Sequence, residues 1–290
     1  MRHRHAPVQG TFMYRNLMTF ALAAALVTST APLDAAELSI FDAHVHYSHD
    51  AWESVPPADA VAILRKAGVT RALVSSSGDD GTQRMAVLAP DLILPSLRPY
   101  RTRGELSSWL RDETVVPYLE DRLRQYNYVA IGEFHVFGAD ADLPNVRRVV
   151  ELAKRHGLVL HAHGDADAIE RLFRHDPDAR ILWAHAGFER PETVRQMLRR
   201  YPTLWSDLAF RSEHGAGGKV DAAWQAAFDE FPERFMVGTD TFTPERWHYV
   251  GEHATWSRAW LASLPKPLAE RIAFRNGEKL FSDAIAKRGL

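Results

Sequence analysis

The chain has 290 residues, 46% of them hydrophobic and 25% charged, which is enough to build one sizeable core. Its formal net charge of −2 provides no basic field for holding phosphates, so nucleic acid is not an expected partner. The absence of cysteine excludes disulfides, a cysteine nucleophile and thiolate metal sites, so that any metal must sit on nitrogen and oxygen ligands.

The first 36 residues have the pattern of a secretory signal. Arg15 precedes an apolar run over residues 17–27, and small and turn-forming residues follow as far as Ala36. The run is shorter than the about 20 residues that a membrane span requires. We therefore expect residues 1–36 to be a leader that is removed on export, and we expect no stable membrane span. The expected location of the mature protein is the periplasm, and the cleavage position stays open.

From residue 37 to residue 290, short apolar runs alternate with longer stretches of helical spacing, as in βα units around a parallel sheet. The eight predicted strands cover residues 38–43, 70–75, 91–97, 128–134, 158–162, 179–185, 203–208 and 234–239. The predicted helices cover residues 61–67, 106–126, 146–156, 166–175, 192–201, 220–231 and 267–286. This alternation over about 250 residues predicts an α/β protein with a single-domain (β/α)8 TIM barrel.

Polar side chains end several of these strands, on the side of a parallel barrel where active sites form. They are His44 and His46 after the first strand, His161 and His163 after the fifth, His185 after the sixth and Asp240 after the eighth. A period of two places each histidine pair on one side of its strand. A single histidine of this kind is often a core or turn residue, but agreement between four strand ends favours a metal site.

The fourth strand adds a carboxylate and an imidazole on one face, Glu133 and His135. A carboxylate at that level can bridge two cations. Arg98, which follows the third strand, could grip an anionic group of a substrate, although arginines in loops are more often solvated.

Together these strand ends resemble the amidohydrolase superfamily, in its amidohydrolase-related group, with a strand-four glutamate like that of TatD-type hydrolases. The resemblance runs from about Leu38 to Phe281, and residues 272–281 look like the closing helix of the family, in which an asparagine precedes a Leu-Phe pair. It implies a metal site at the strand ends. The implied ligands are His44, His46, Glu133, His161, His185 and Asp240.

Two features leave the ligand set open. Because Glu133 stands where many relatives carry a modified lysine, the resemblance supports either a glutamate-bridged metal pair or a single ion. His161 and His163 compete for one ligand position, and we favour His161 because it directly follows the apolar run 158–160. His163 then becomes a substrate contact, together with His135 and Arg98.

Imidazole and carboxylate ligands suit zinc, manganese, iron or nickel, and zinc is the first choice. A cation of this kind ionises a bound water near neutral pH and polarises a carbonyl oxygen. The resemblance therefore implies a metal-dependent hydrolase in which hydroxide on one or two Zn²⁺ ions attacks a small ester, lactone or amide. Asp240 is the expected general base.

Three other functions stay open. They are metal-dependent decarboxylation or hydration of a small acid, phosphoester hydrolysis of the TatD-like type, and metal or ligand binding without turnover. Substrate identity and oligomeric state are not predicted. Trp52 and Trp247 are expected to line a pocket, and Asp207 is assigned to a plain connection after the seventh strand.

Overall fold

The structure is a computed structural model, and it describes residues 38–287. The expected leader over residues 1–36 lies outside the described residues, so export stays a prediction. Within the described part of the chain, no helix combines the length and the apolar character that crossing a membrane requires.

Eight parallel strands form one sheet in which each strand is hydrogen-bonded to the next in chain order. The strands are β1 (Ile40–His46), β2 (Val69–Ser75), β3 (Ile93–Leu97), β4 (Ala130–His135), β5 (Val159–His163), β6 (Ile181–Trp183), β7 (Leu204–Asp207) and β8 (Phe235–Met236). Every predicted strand is confirmed, with its ends within three residues of the expected positions.

The segment that follows β8 returns to β1 and brings the sheet round into a barrel. The backbone N–H of Ala43 donates to the carbonyl of Val237 at 3.0 Å, and the N–H of Asp240 donates to the carbonyl of His44 at 2.7 Å. Between these bonds, the buried carboxylate of Asp42 accepts from the backbone N–H and the hydroxyl of Thr239, at 3.0 and 2.7 Å. The predicted TIM barrel is confirmed.

Among residues 38–287, seven α-helices connect the strands on the outside of the barrel, and three more follow β8. They are α1 (Pro57–Lys66), α2 (Asp80–Leu88), α3 (Val115–Gln125), α4 (Pro144–His156), α5 (Ala166–His175), α6 (Pro191–Arg200), α7 (Ala222–Glu230), α8 (Val250–Leu261), α9 (Lys266–Glu270) and α10 (Asn276–Lys287). Short 3₁₀ helices occupy loops at Arg103–Glu105, Ser108–Leu110, Gly138–Asp142, Ala184–Phe188, Glu213–Gly218 and Pro244–Tyr249, and a π-helical turn at Arg271–Arg275 joins α9 to α10.

The start of α3 differs from the prediction, which began this helix at residue 106. Pro117 lies in the first turn of α3, where its missing N–H leaves no hydrogen bond unmade; further inside a helix it would remove one. The Asp112 carboxylate accepts from the backbone N–H of Thr114 at 2.8 Å, immediately before the helix. Residues 103–110 therefore form separate short turns ahead of α3.

The core has two layers, one between strands and helices and one inside the barrel. The inner layer is closed at the bottom by α10, where Phe281 stacks on Phe41 with ring centroids 5.7 Å apart. Asn276 fastens this helix, because its side-chain amide donates to the carbonyl of Phe235 at 2.8 Å. The closing helix suggested by the Asn…Leu-Phe pattern thus plugs the end of the barrel opposite the strand-end histidines.

We predict that Gly277→Ala lowers the free energy of unfolding by about 1–3 kcal/mol, because overpacking a close-packed core forces side chains off their preferred positions. A Cβ at Gly277 would lie 2.3 Å from the Cγ atom of Phe41. Gly251→Ala is the matched control, since Gly251 is also the second residue of its helix but has no atom within 4 Å of a built Cβ. Denaturant unfolding of both variants measures the difference, and equal effects would contradict this account of the packing.

Candidate metal centre

A group of buried histidines and carboxylates lies inside the barrel at the carboxyl ends of the strands, and we call it the polar cluster. Its members are His44, His46, Glu133, His161, His185, Asp207 and Asp240. None of them is more than 6% exposed. Burial of several ionisable groups together requires hydrogen bonds or a counter-charge, so their partners determine what the site can hold.

His44 and His46 point toward each other from the end of β1, with their Nε2 atoms 3.1 Å apart. The other nitrogen of each ring has a partner. His44 Nδ1 lies 3.3 Å from Asp207 Oδ2, and His46 Nδ1 lies 2.9 Å from the hydroxyl of Ser75 and 3.2 Å from its carbonyl. An imidazole whose Nδ1–H is donated in this way presents an Nε2 lone pair, as metal-ligating histidines commonly do.

His185 has the same arrangement. Its Nδ1 donates to the carbonyl of Ala209 at 2.8 Å, so that its Nε2 carries the lone pair. Its ring is stacked on that of His44 with centroids 4.8 Å apart, which brings together the two histidines that the sequence places farthest apart in the ligand set. The structure therefore directs the Nε2 atoms of three imidazoles toward one space, and each of these atoms carries a lone pair when its ring is neutral.

Glu133 reaches this space from β4. Its Oε2 atom lies 3.1 Å from His46 Nε2, and its Oε1 atom lies 3.6 Å from His44 Nε2 and 3.5 Å from His185 Nε2. Arg98 donates from Nη2 to Oε2 at 2.7 Å and from Nε to the Glu133 carbonyl at 3.1 Å. Arg98 lines the cavity, as a substrate contact would, but its guanidinium is directed at Glu133.

Asp240 and His185 both have left-handed backbone conformations, with φ of 53° and 57°. Residues other than glycine seldom adopt this region, and such residues cluster at functional sites. The backbone N–H of Asp240 donates to the His44 carbonyl, and that of His185 donates to Asp207 Oδ1 at 3.0 Å. In this position Asp240 Oδ1 lies 3.4 Å from His46 Nε2 and 3.8 Å from His44 Nε2.

Asp207 was assigned to a plain connection from the sequence, and the structure corrects this. It ends β7 fully buried, and its carboxylate accepts from the backbone N–H groups of His185 and Ala209, each at 3.0 Å. It also lies within hydrogen-bond distance of His44 Nδ1 and, at 3.1 Å, of His161 Nε2. The sequence feature that could have identified Asp207 as a site residue is its position at the end of the apolar run of the seventh strand.

His161 and His163 both point inward from β5 but at different depths. His161 Nε2 faces Asp207, and the possible ligand sets among residues 38–287 join it to His44 and Asp207 rather than to Glu133 or Asp240. His163 Nδ1 lies 2.8 Å from Glu133 Oε1 at the cavity surface. The choice of His161 over His163 as a metal ligand therefore stays a prediction. Of these two histidines, His163 is the one in hydrogen-bond contact with Glu133.

His135 lies beside His163, with ring centroids 4.1 Å apart. Its Nε2 is 3.9 Å from Glu133 Oε1, and its Nδ1 is 3.1 Å from the hydroxyl of Tyr100. Both histidines line the cavity, where a substrate contact was predicted. Together with Glu133 they also form a second possible ligand set.

The pKa shifts show that the charges of the polar cluster depend on one another. Burial alone would raise the pKa of Glu133 and Asp207, but the neighbouring His44 imidazole holds the pKa of both carboxyls well below their usual range. Burial favours neutral His44, yet the carboxylates of Asp207, Glu133 and Asp240 raise its pKa well above the ordinary value. Among the described residues, the Asp207 and Asp240 carboxylates form ion pairs only with histidines.

These donors fit a divalent cation. Two nitrogen ligands of a tetrahedral zinc ion lie about 3.3 Å apart, given bonds of about 2.0–2.1 Å. The donor atoms of His44, His46 and Asp240 are 3.1–3.8 Å from one another. Neutral imidazole and carboxylate are the ligand types of zinc, manganese, iron and nickel sites.

A cavity of about 250 Å³ opens above the polar cluster. It is lined by His46, Ser77, Arg98, Arg103, Leu106, Glu133, His135, His163, His185, Phe188, Phe210, Asp240 and Phe242. Neither Trp52 nor Trp247 lines this cavity. Trp247 is fully buried against Tyr47, and Trp52 donates from Nε1 to the Tyr47 carbonyl, so both support the loop after β1 from outside the cavity.

Residues 99–282 match a protein family described as amidohydrolase, which covers more than half of the chain. The chain belongs to the amidohydrolase family. This confirms the predicted superfamily and identifies the protein as an enzyme. Members of the family typically use a divalent metal, in agreement with the ligand sets of the polar cluster. The likeness of Glu133 to the TatD-type glutamate stays a prediction.

Solved structures with the same fold share little sequence with this amidohydrolase. An uncharacterized TIM-barrel protein from Bordetella bronchiseptica has a TM-score of 0.58 and 16% identity, over 87% of this chain and 100% of that one. A probable 2-pyrone-4,6-dicarboxylic acid hydrolase from Acinetobacter baumannii, with citric acid bound, has a TM-score of 0.51 and 12% identity, over 84% and 99%. An amidohydrolase from Burkholderia multivorans has a TM-score of 0.52 and 13% identity, over 84% and 99%.

One curated relative is of a different kind. A chromosomal replication initiator protein DnaA from Leptothrix cholodnii is 25% identical over 185 residues, which is 62% of this chain. The amidohydrolase chain spans only about a third of that relative's length (33%). The role in that name is therefore not transferred to this protein.

We predict that Asp207→Asn raises the dissociation constant for zinc roughly 10- to 100-fold, because partners that orient ligating histidines contribute this much to metal affinity. An asparagine amide cannot accept from all four donors that surround Asp207. Competition with a chelator measures the dissociation constant. Asp176→Asn is the control, since Asp176 is also buried and paired, but with Lys154. Equal zinc affinities in the two variants would contradict the positioning role.

Proposed function

We propose that this member of the amidohydrolase family is a metal-dependent hydrolase of a small ester, lactone or amide. In this proposal a divalent cation, zinc in the first instance, is held by His44, His46 and Asp240, with Glu133 and His185 beside it. The observation that carries the proposal is the convergence of three imidazole lone pairs and two carboxylates at the floor of a cavity. A divalent cation at this point would contact the imidazole nitrogens and the carboxylate oxygens together.

A divalent cation supplies a water of lowered pKa and polarises a carbonyl oxygen. Asp240 is then the general base. Its Oδ1 faces His44 and His46, while its Oδ2 lies 4.0 Å from His185 Nε2, and the residue lines the cavity. We propose that the Asp240 carboxylate takes the proton of the attacking water and passes it to the leaving group. The left-handed backbone and the bond to the His44 carbonyl hold the carboxylate in place.

The side-chain contacts in the cavity give less support to decarboxylation, hydration or phosphoester hydrolysis. Decarboxylation or hydration of an anionic acid would need arginines after β3 to bind the anion. The guanidinium of Arg98 is within hydrogen-bond distance of Glu133 and Ser77, and Arg103, which also lines the cavity, pairs with Asp50. Phosphoester hydrolysis remains compatible with the ligand types, and the net charge of −2 disfavours long polyanionic substrates.

The proposal is tested on protein loaded with zinc, whose content is measured by elemental analysis. The panel contains an ester, a lactone, an amide, a phosphodiester and a carboxylic acid assayed for CO₂ release. We expect hydrolysis of at least one carbonyl substrate, its loss on chelation, and its return when zinc is restored. Bound zinc with no carbonyl hydrolysis would refute the proposal. The ratio of zinc to protein distinguishes one ion from two.

We predict that Asp240→Asn lowers kcat by about 10²–10⁴-fold, the usual contribution of a positioned general base. The variant is expected to keep its fold, because its backbone bond to His44 is unchanged. Initial rates are compared at equal zinc content, so that loss of metal is separated from loss of the base. Asp229→Asn, on the exposed surface of α7, is the control and should retain full activity. An undiminished rate in Asp240→Asn would exclude the assignment.

A further inference from the structure

Three phenylalanines form an arc at the mouth of the cavity, and we call it the aromatic rim. Phe188, Phe210 and Phe242 follow β6, β7 and β8, and all three line the cavity. Their exposed fractions are 50%, 50% and 38%. Apolar surface that adjoins a polar site and stays accessible to water is typical of ligand recognition.

The backbone of the rim is held in a strained conformation. Phe188 and Phe210 have φ of 54° and 56°, a region in which a bulky residue is a genuine outlier. Such conformations persist only where the surroundings over-determine them. The backbone at these two residues is therefore held by the structure around it.

Two arginines supply that support. The guanidinium of Arg246 lies 4.8 Å from the ring centroid of Phe210 and 5.3 Å from that of Phe242, and Arg211 lies 6.0 Å from that of Phe188. Each arginine is itself tied to the polar cluster. Arg246 donates to the Asp240 carbonyl, and Arg211 donates to the His185 carbonyl at 2.9 Å.

The rings are arranged as a surface for another ring. Phe210 meets Phe188 and Phe242 edge to face, with centroids 6.4 and 5.6 Å apart. Phe188 also stacks on His185 at 4.7 Å, which carries the aromatic surface down to the polar cluster. Edge-to-face and offset-stacked geometries are those in which aromatic groups attract one another beyond the burial of their area.

We propose that the cavity takes a carbonyl compound with one planar aromatic ring next to the reacting carbonyl, and that Phe188, Phe210 and Phe242 bind this ring. The inference rests on the proposed function for the position of the carbonyl at the polar cluster. The cavity of about 250 Å³ lies below the about 300–1,000 Å³ of sites for drug-sized ligands, which restricts the substrate to a small compound. The shared chemistry is an ester, lactone or amide of an aromatic carboxylic acid.

The binding test compares benzoate with cyclohexanecarboxylate on the zinc-loaded protein by calorimetry. The two anions have the same charge and the same number of carbon atoms, and they differ in the planar π system. We expect benzoate to bind about 3- to 10-fold more tightly, from the usual strength of one or two aromatic contacts. Equal affinities in the unaltered protein would overturn the inference.

Phe210→Leu and Phe242→Leu keep the apolar surface but remove a ring, and each should reduce the benzoate preference about 2- to 5-fold. The backbone of Phe242 is not left-handed, so Phe242→Leu still tests the inference if Phe210→Leu does not fold. Tyr126→Leu is the matched control, because Tyr126 is also 38% exposed and lies under an arginine, Arg122 at 4.4 Å, but outside the cavity. A preference that survives both phenylalanine variants would overturn the inference.

Turnover separates this inference from the proposed function. Methyl benzoate and methyl cyclohexanecarboxylate are hydrolysed in parallel, and we expect a higher kcat/KM for the aromatic ester. Hydrolysis of both esters with equal kcat/KM would overturn the aromatic preference and leave the hydrolase proposal standing. Benzoate preference in binding, without hydrolysis of any carbonyl substrate, would support the aromatic site and refute the hydrolase proposal.

Discussion

The metal centre proposed at the carboxyl ends of the strands depends on the orientation of three imidazole rings. His44, His46 and His185 each commit Nδ1 to an acceptor outside the centre, namely Asp207, Ser75 or the Ala209 carbonyl. Their Nε2 atoms are thereby turned inward, toward carboxylates that are also buried. Neutral imidazoles and carboxylates arranged in this way offer lone pairs to a common point, which is what a divalent cation requires of its ligands.

The bonds that close the barrel also assemble this centre. Asp240 donates its backbone N–H to the carbonyl of His44, so the junction between the first and last strands places one carboxylate beside the first imidazole. Asp207 couples the seventh strand to the same imidazole and to the backbone of His185. The hydrogen bonds that close the barrel and those that orient the buried imidazoles therefore involve the same residues.

The features that could be predicted from the sequence are those set by the spacing of apolar and polar residues, namely the strand positions and the residues that face inward. The two-residue spacing of His44 and His46 placed both on the inner face, and the eight apolar runs located every strand. It could not separate His161 from His163, because both face inward and only the packing determines their depth. It also passed over Asp207, whose role comes from donors on other strands. The turns at His185 and Asp240 lie beyond β6 and β8, where apolar runs give no information about a left-handed backbone.

Arg246 joins the rim to the centre, since one guanidinium lies over the rings of Phe210 and Phe242 and donates to the carbonyls of Thr239 and Asp240. The aromatic rim and the segment that carries Asp240 consequently share one support. Replacing Arg246 would remove contacts from two rings and from the turn at residues 239–240 in a single step.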